Sequence, residues 1–252
     1  IMLEEIGGAE CQKIAATLNS QKIITQDLKD LESKTDLLVI MSPHAVAKVE
    51  TIPFYYSAQY SGSLVNFGRP DLAVEFNGDE KLAKDLAKYL AKQVDLDIKE
   101  KSQLDHVVIA PLYQLAKACY TPPIVFTGLN INLSPQHIQF GEALAKYAGE
   151  KNKNIVFIGS GDMSHMLKAD GPYGFAPEGP QFDNEVVQLL ESGNESGLAL
   201  IDPELCEKAA ECGYRSLLTI SGIVGQERHL KPDVLSYEGP FGVGYLSVRW
   251  RG

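Results

Sequence analysis

The chain has few cysteines, no C-x-x-C pair and no long apolar run. Its four cysteines, Cys11, Cys119, Cys206 and Cys212, are too few to cross-link 252 residues, and this usage is typical of a reducing cytosol. No apolar stretch approaches the roughly 18 to 20 residues that span a bilayer, and no signal peptide is visible. We therefore expect a cytoplasmic protein with no membrane partner.

Basic residues are also scarce. The chain has 23 Lys and Arg against 33 Asp and Glu, a formal net charge of -10 at pH 7. The basic side chains are scattered and form no stripe that could neutralise phosphates, which argues against a nucleic-acid partner. The apolar and charged fractions are those of an ordinary globular protein, and a chain of this length buries a sizeable core. One domain over residues 1–252 is therefore predicted.

Short apolar runs alternate with segments of helical periodicity, which indicates an α/β fold. The fold that we predict has three layers, α/β/α, around a mixed, mostly parallel sheet. Two long segments rich in aromatic residues and glycine are predicted to be ligand-covering loops, 49–76 and 166–183. The predicted strands lie within 35–42, 106–115, 122–129, 153–165 and 241–250. The predicted helices are 80–94, 134–152 (with Ser134 as N-cap and Pro135 at the first helical position), 182–194 and 202–225.

Three of the five histidines lie where predicted strands begin or end. His44 follows the run 35–42, His106 begins another run, and His165 follows a Gly-Ser-Gly-Asp turn. Ligands bind at the carboxyl ends of strands in open α/β sheets, and imidazole both ligates metals and carries protons near neutral pH. Taken alone, His44 is better explained by strand capping or a bond to nearby backbone, and His106 by a place in the core. Together they indicate a metal or acid–base site.

Other local patterns are less informative. His137 is predicted on a solvated helix face, and His229 on loop surface. The spacing in 159–165 matches neither phosphate-binding glycine pattern, and no G-x-S-x-G elbow is present for a serine hydrolase. Ser160, Asp162 and Ser164 are expected to supply donors and acceptors around the imidazole of His165.

Five fragments resemble the LigB-type class III extradiol ring-cleavage dioxygenase family. They are VIMSPH, LDHVVIAPLYQL, GSGDMSH, AAECGYRSLLTISG and LSYEGPFGVGYLSV, in this order over nearly the whole chain. The resemblance is to the subgroup associated with the AmmeMemoRadiSam system, which also includes Memo-like proteins. Members of the family hold a non-haem Fe(II) by two histidines and one carboxylate, so that catechol and O₂ bind side by side. Nearby histidines act as base and acid during ring opening.

This resemblance implies a role for each of the three histidines. His44 corresponds to the second metal histidine, His165 to the acid–base histidine, and His106 to a pocket histidine that bonds the bound oxygen or substrate. The carboxylate ligand falls on Glu211, with Cys212 as the alternative because Memo-like relatives have a cysteine at about this place. Glu211 is equally interpreted as a surface carboxylate of a helix. Further pocket residues implied are Ser160, Asp162, Tyr173 and, as a second-rank candidate, Glu238.

One metal ligand of the family is not found in this sequence. The family's first metal histidine lies in a Pro-His-Pro-Pro-like segment after the first strand, and residues 1–8 resemble the stretch directly after that segment. We therefore expect that strand and that ligand upstream of Ile1. The segment SYEGPFGVGY near the end also allows a further domain after residue 252. The resemblance implies a small aromatic substrate and O₂, and it is compatible with a homodimer.

Three functions are compatible with these residues. The first is Fe(II)-dependent extradiol cleavage of a small catechol-like diol. The second is a non-oxygenase, Memo-like metal-binding protein that works with a radical-SAM or other modification pathway. The third is a zinc-dependent hydrolase, because His and carboxylate also suit zinc; copper is a further metal considered. Aromatic residues of the two long segments either contact a planar ligand or pack on the domain itself: Phe54, Tyr55, Tyr56, Tyr60, Tyr173 and Phe175.

Overall fold

Nine strands and eight α-helices make up the computed structural model, which describes residues 3–44, 47–132, 135–227 and 229–251. The strands are β1 Leu37–Met41, β2 Ile52–Tyr56, β3 Gln59–Leu64, β4 Arg69–Asn77, β5 Leu96–Glu100, β6 Ile124–Thr127, β7 Ile155–Gly159, β8 Lys231–Glu238 and β9 Tyr245–Arg251. The α-helices are α1 Glu4–Gly7, α2 Ala15–Lys29, α3 Glu80–Leu90, α4 His106–Lys117, α5 Gln136–Lys151, α6 Glu178–Glu191, α7 Pro203–Ala209 and α8 Tyr214–Gln226. Short 3₁₀ helices cover Gly8–Ile14, Glu32–Lys34, Val65–Phe67 and Glu195–Leu200.

The central sheet has five strands in the order β5-β2-β6-β1-β7. Strand β1 pairs in parallel with both β6 and β7, and β2 pairs in parallel with β5. Only the β2–β6 contact among these pairs is antiparallel. The predicted mixed, mostly parallel sheet is therefore confirmed. The carboxyl ends of β6, β1 and β7 meet at one edge.

Strand β1 is covered on both faces, which explains its continuous apolar sequence. Alternate side chains of a strand point to opposite faces. Leu38 and Ile40 pack in the cluster that includes α4, whereas Leu37, Val39 and Met41 pack in the cluster that includes α3 and α5. All five are fully buried. Helices on both faces of the sheet form the predicted α/β/α layers.

A third apolar cluster lies beside the sheet. It joins α6, α7 and α8 to the antiparallel hairpin of β8 and β9, through residues such as Phe182, Val186 and Leu218. The run 241–250 was predicted as a strand, and β9 confirms most of it, but β9 pairs with β8 in a separate two-stranded sheet. This hairpin and α6 are important for the site because both contact the loop after β7.

The prediction of a strand at 106–115 is wrong, because this segment forms α4. The Asp105 side chain caps the helix by accepting hydrogen bonds from the backbone N–H groups of Val107 (2.9 Å) and Val108 (3.1 Å). The apolar run is continuous because α4 lies under the sheet and β3–β4, and a buried helix and a buried strand have the same short apolar signature. His106 is thus the first residue of a helix.

The prediction of a loop at 49–76 is also wrong. Strands β2, β3 and most of β4 occupy the segment, and Phe54, Tyr55 and Tyr60 are buried in the core rather than exposed to a ligand. Their aromatic character serves packing between the sheet and the β3–β4 hairpin: the Tyr60 and Phe126 rings meet edge to face. The second predicted loop is confirmed for residues 166–177, and α6 begins at Glu178.

Two helix predictions need correction in detail. The segment 202–225 forms two helices, α7 and α8, because Ala210 adopts a left-handed conformation that ends α7. Helix α5 begins at Gln136, one residue later than predicted, with Pro135 as its N-cap, and the expected cap, Ser134, lies outside the described residues. The amphipathic helix α3 agrees with prediction and is capped by Asp79.

The prediction that His137 lies on a solvated face is wrong as well. Its side chain is fully buried, and its Nε2 lies 3.1 Å from the Asn130 carbonyl oxygen. Burial lowers the pKa of His137 from 6.5 to about 4. Helix α8 packs closely against α5, so the face that looked polar in sequence is covered. His229 is exposed, as predicted. Within the described part of the chain, no helix is both long and apolar enough to cross a membrane.

Candidate metal and proton-transfer site

Two of the three histidines follow neighbouring parallel strands. Met41, the last residue of β1, is paired with Gly159, the last residue of β7. The Ser160 N–H continues the ladder by donating to the Met41 carbonyl oxygen at 2.9 Å. His44 and the segment 160–165 therefore leave the sheet at the same edge, as the sequence predicts.

Asp162, His165 and Cys212 form a cluster of ligand-type atoms at this edge. One carboxylate oxygen, one ring nitrogen and the sulfur lie within 4.8 Å of one another. The Nε2 of His165 is 3.7 Å from Oδ2 of Asp162. All three residues are half-buried, and within the described ranges this is the sole group of three His, Cys, Asp or Glu residues with such spacing.

The cluster depends on a close approach of two loops. The N–H groups of Cys212 and Gly213 donate to the Asp162 carbonyl oxygen at 3.2 and 2.8 Å, and the Asp162 N–H donates to the Cys212 sulfur at 3.1 Å. Gly161 has φ of +147°, and a Cβ there would lie 2.5 Å from Cα of Gly213. Glycine is therefore required at this crossing, since any side chain would separate the two loops.

The backbone fixes the orientation of His165. Its N–H donates to the Ala209 carbonyl oxygen at 3.1 Å, and its ring Nδ1 bonds the Ala210 carbonyl oxygen. A carbonyl oxygen only accepts, so Nδ1 carries a hydrogen and Nε2 is the nitrogen that faces Asp162 and Cys212. The left-handed Ala210 (φ 52°) at the end of α7 is part of this arrangement. Nε2 is thus the atom available for a metal or a proton.

The surroundings of His165 favour its protonated form. Hydrogen bonding to Asp162, then to Cys212, raises its pKa from 6.5 to about 11, and partial burial acts in the opposite direction. A cation held by Asp162 or Cys212 would oppose this shift. Without a cation these groups favour the imidazolium form of His165, whereas a bound cation favours the neutral form, which can accept a proton at Nε2. Asp162 and Cys212 face the same ring nitrogen of His165. In a nucleophilic Cys-His-Asp triad, by contrast, the thiol and the carboxylate face opposite ring nitrogens.

Glu211 lies next to the cluster in sequence, but its carboxylate is used elsewhere. The side chain is 3% exposed. Its Oε2 accepts from the Tyr214 N–H at 2.7 Å, in the first turn of α8, and its Oε1 lies 3.1 Å from Nη1 of Arg215. Burial raises the pKa of Glu211. Of the two neighbouring candidates, Cys212 is the one that lies with Asp162 and His165.

His44 and His106 lie together. Their ring centroids are 5.5 Å apart, and the ring of Phe67 is 5.3 Å from that of His106. His44 is exposed, and His106 is half-buried with a pKa lowered by burial. The sequence-predicted proximity of these two residues is therefore seen, although His106 reaches His44 from a helix and not from a strand end.

Of the remaining predicted pocket residues, two lie at the site and one does not. Tyr173 lies over His165 with ring centroids 5.0 Å apart and is 62% exposed. The Ser160 carbonyl oxygen accepts from the Ser216 hydroxyl at 3.0 Å, which ties the site loop to α8. Glu238 is not in the cluster: its carboxylate accepts from the N–H (2.8 Å) and hydroxyl (2.6 Å) of Thr17, at the start of α2.

Sequence reasoning overlooked Asp183 and Tyr237, which contact the site loop. Asp183 is fully buried, and its carboxylate bonds the Ser164 N–H and the Tyr237 hydroxyl. A signal was present in the sequence. Asp183 stands three residues before Val186 and seven before Leu190, so it occupies the apolar face of α6.

Comparison with known proteins gives one family match over almost the whole chain. A family described as the catalytic LigB subunit of aromatic ring-opening dioxygenase matches residues 1–247. Protein CA_C1420 of Clostridium acetobutylicum is 33% identical over 255 residues, which are 97% of this chain and 54% of that protein. The chain spans about half the length of this relative.

Shorter matches lead to proteins named as dioxygenases. A 2,3-dihydroxyphenylpropionate/2,3-dihydroxicinnamic acid 1,2-dioxygenase of Rhodococcus globerulus is 30% identical over 116 residues, 44% of this chain and 35% of that enzyme. Among solved structures, the uncharacterized protein JW3007 from Escherichia coli K12 has a TM-score of 0.64 and covers 90% of this chain and 92% of its own, at 19% identity. That likeness supports the three-layer fold alone.

Proposed function

The chain belongs to the LigB family of aromatic ring-opening dioxygenases, and on that premise we propose that it is a non-haem Fe(II)-dependent extradiol-type dioxygenase acting on a small catechol-like diol with O₂. The observation behind the proposal is the cluster of Asp162, His165 and Cys212 at the sheet edge from which His44 also departs. Imidazole and thiolate are both ligands that iron accepts, so His44 and the Cys212 of this cluster fit the metal, while His165 and Asp162 are left for proton transfer.

We assign metal binding to His44 and Cys212. Glu211 is the weaker candidate because both its oxygens have partners and it is almost inaccessible. The resemblance to the family implies one further histidine as the third ligand. Bound Fe(II) would orient the diol and O₂ and pass electron density between them. Zinc and copper would accept the same ligands.

The protein's own groups supply the proton transfers. His165 takes a proton from a diol hydroxyl at Nε2 and returns it later in ring opening, while the Ala210 carbonyl oxygen keeps Nδ1 protonated. Asp162 stabilises the imidazolium form. His106, beside His44, bonds the bound oxygen or substrate. Tyr173, whose ring lies beside that of His165 at an interplanar angle of 53°, forms a wall of the pocket for a planar ring.

Anaerobic reconstitution of the full-length protein with Fe(II), followed by a panel of catechols, tests the function. We expect O₂ uptake and a yellow ring-opened product with at least one diol. A metal-replete protein that consumes no O₂ with any diol would contradict the proposal and favour the second candidate, a metal-binding protein without oxygenase activity.

Two substitutions test the division of roles. His165→Ala should leave metal content nearly intact and lower turnover by about 10²- to 10⁴-fold, the range for loss of a general acid–base group. His44→Ala should lower metal content itself. Metal analysis of both purified variants is the measurement, with Cys212→Ala and Glu211→Gln as a second pair in which only the first should lose metal. Equal metal loss in His165→Ala and His44→Ala would make His165 a ligand instead.

A second candidate function is a non-oxygenase metal-binding protein of the Memo-like kind, serving a radical-SAM or other modification pathway. The observation that favours it is that the thiol of Cys212, and not the carboxylate of Glu211, lies with Asp162 and His165. Thiolate is a softer ligand and suits zinc or copper as well as iron. Retention of zinc or copper in preference to iron, together with no O₂ uptake, would support this candidate.

A further inference from the structure

We propose that Asp183, together with Tyr237, is a positioning residue for His165. This inference rests on the proposed role of His165 in proton transfer. It concerns a buried carboxylate that touches neither the Asp162–His165–Cys212 cluster nor the His44–His106 pair, and that joins three separate parts of the chain: α6, β8 and the loop after β7.

Asp183 is fully buried, and both of its oxygens have donors. Oδ1 accepts from the Ser164 N–H at 2.8 Å, and Oδ2 accepts from the Tyr237 hydroxyl at 2.5 Å. Burial raises the pKa of this carboxyl group. Its neighbours on α6, Phe182 and Val186, belong to the apolar core. Since a desolvated carboxyl group is costly, an apolar side chain would serve packing alone better at this position.

The bond to Ser164 leads directly to His165. The Ser164 hydroxyl donates to the Ala209 carbonyl oxygen at 2.9 Å and accepts from the Met166 N–H at 2.9 Å. His165 itself donates its N–H to the same carbonyl of Ala209, and its Nδ1 bonds the next carbonyl along the chain. Asp183 therefore holds the residue before His165, and that residue holds the backbone that orients the imidazole.

The glycine-rich segment 239–244 completes the arrangement. The Gly244 N–H donates to the Ser164 carbonyl oxygen at 2.8 Å, and the Gly244 carbonyl oxygen accepts from the Met163 N–H at 2.9 Å. A Cβ on Gly244 would clash with Oδ2 of Asp183. The absence of a side chain at Gly244 thus allows the hairpin to close against both the site loop and Asp183, which gives this part of the SYEGPFGVGY segment a physical purpose.

The test compares Asp183→Ala, Asp183→Asn and Tyr237→Phe in the full-length protein. Asp36→Asn is the control, because Asp36 likewise accepts from one backbone N–H (Asn154, 2.8 Å) and one side chain (Lys153, 2.8 Å) but lies at the opposite end of β1. Asp183→Ala should lower kcat for the diol by about 10- to 100-fold, as for other residues that orient a reacting group. KM should change by less than about 3-fold, because substrate contacts remain. Asp183→Asn should retain a larger kcat than Asp183→Ala, because its amide oxygen can still accept from the Ser164 N–H.

A second readout does not depend on turnover. In the metal-free protein, the Nδ1–H of His165 should give a downfield, slowly exchanging NMR resonance because it bonds the Ala210 carbonyl oxygen. We expect this resonance to broaden or disappear in Asp183→Ala and to remain in Asp36→Asn. Gly244→Ala should act like Asp183→Ala, whereas Gly149→Ala, with nothing within 4 Å of the added methyl group, should not.

The two readouts separate the inference from the proposed function. If the wild type cleaves no diol but the resonance responds as described, the proposed function fails and the positioning role stands. An unchanged resonance and unchanged kcat in folded Asp183→Ala or Asp183→Asn would overturn the positioning role. If Asp183→Ala fails to fold, Tyr237→Phe and Gly244→Ala decide by the same two measurements.

Discussion

The two ring nitrogens of His165 have different partners, and this difference defines its chemistry. Nδ1 is committed to a backbone carbonyl, whereas Nε2 faces a carboxylate and a sulfur. His137 is the opposite case: a fully buried imidazole whose Nε2 bonds the Asn130 carbonyl oxygen and whose Nδ1 has no partner among the described residues. We propose proton transfer for the first histidine, whereas burial favours the neutral form of the second.

His137 predicts a pH dependence of stability. Burial lowers its folded-state pKa from 6.5 to about 4, so between these values the unfolded chain binds a proton that the folded protein does not. The free energy of unfolding therefore falls as the pH decreases from about 6.5 to about 4, by about 3 kcal/mol from this group. The free energy of unfolding, measured by urea denaturation at several pH values, should fall less over this range in His137→Gln than in the wild type, by about 3 kcal/mol. His229→Gln changes an exposed histidine and should keep the wild-type dependence of the free energy of unfolding on pH. The same dependence in all three proteins would contradict its assignment to His137.

At the scale of elements, two glycines set the distance between α5 and α8. A Cβ on Gly141 would clash with the Thr219 carbonyl oxygen, and one on Gly222 would clash with the Ile138 carbonyl oxygen. Backbone atoms cannot move aside as a flexible side chain can, so the helices would have to separate. Helix α8 also carries Ser216, which bonds the Ser160 carbonyl oxygen, so this spacing reaches the site loop.

Alanine substitutions at different glycines of these helices should change the free energy of unfolding in opposite directions. Gly141→Ala and Gly222→Ala should each lower the free energy of unfolding by about 1–3 kcal/mol, the usual cost of overpacking. Gly149→Ala lies on the same helix as Gly141 but in open space, and it should raise stability by about 0.5–1 kcal/mol because alanine is the better helix former. Equilibrium urea denaturation measures both. Equal effects at Gly141 and Gly149 would show that helix propensity and not packing dominates.

Helix α4 makes a related prediction through its cap. Asp105→Ala removes the acceptor for the Val107 and Val108 N–H groups and should cost about 1 kcal/mol of stability. Because His106 is the first residue of α4, the same change should also lower diol turnover. Asp79→Ala, which removes the cap of α3 at Leu82, should cost a similar stability and leave turnover unchanged. Loss of turnover in both variants would point to general destabilisation.

At the scale of the whole molecule, the candidate metal site joins distant parts of the chain. Asp162 and His165 follow β7, whereas Cys212 lies between α7 and α8, 50 residues after Asp162. The proposed ligands His44 and Cys212 are likewise far apart in sequence. A metal that binds them only in the folded protein stabilises the folded state, by about 2.7 kcal/mol when its free concentration is 100 times Kd. Metal binding should therefore raise the free energy of unfolding.

Thermal unfolding with and without Fe(II), Zn²⁺ or Cu²⁺ tests this coupling. We expect a rise in Tm with metal, reversal by a chelator, and loss of the rise in Cys212→Ala. Cys119→Ala, at an exposed cysteine outside the cluster, should retain the full rise. A metal-induced rise that persists without Cys212 would contradict its assignment as a ligand.

Much of the framework follows from local sequence. Local patterns predicted the buried strands β1 and β6, the half-buried strand β7, the amphipathic helix α3 and the histidines after β1 and β7. Continuous apolar runs, helical periodicity and glycine-rich turns are all local properties. The family resemblance is confirmed over residues 1–247. These features need no knowledge of what lies across the fold.

The tertiary structure decided the rest. Whether 106–115 is a helix, whether His137 is covered, and whether Glu211 or Cys212 lies with Asp162 all depend on which neighbour packs against a segment. Glu211 and Cys212 are adjacent in sequence, yet one carboxylate bonds α8 while the neighbouring sulfur accepts the Asp162 N–H. Partners this distant in sequence are selected by packing and desolvation across the whole chain. The sequence by itself therefore determined the sheet edge and the family, and the fold determined which side chains meet there.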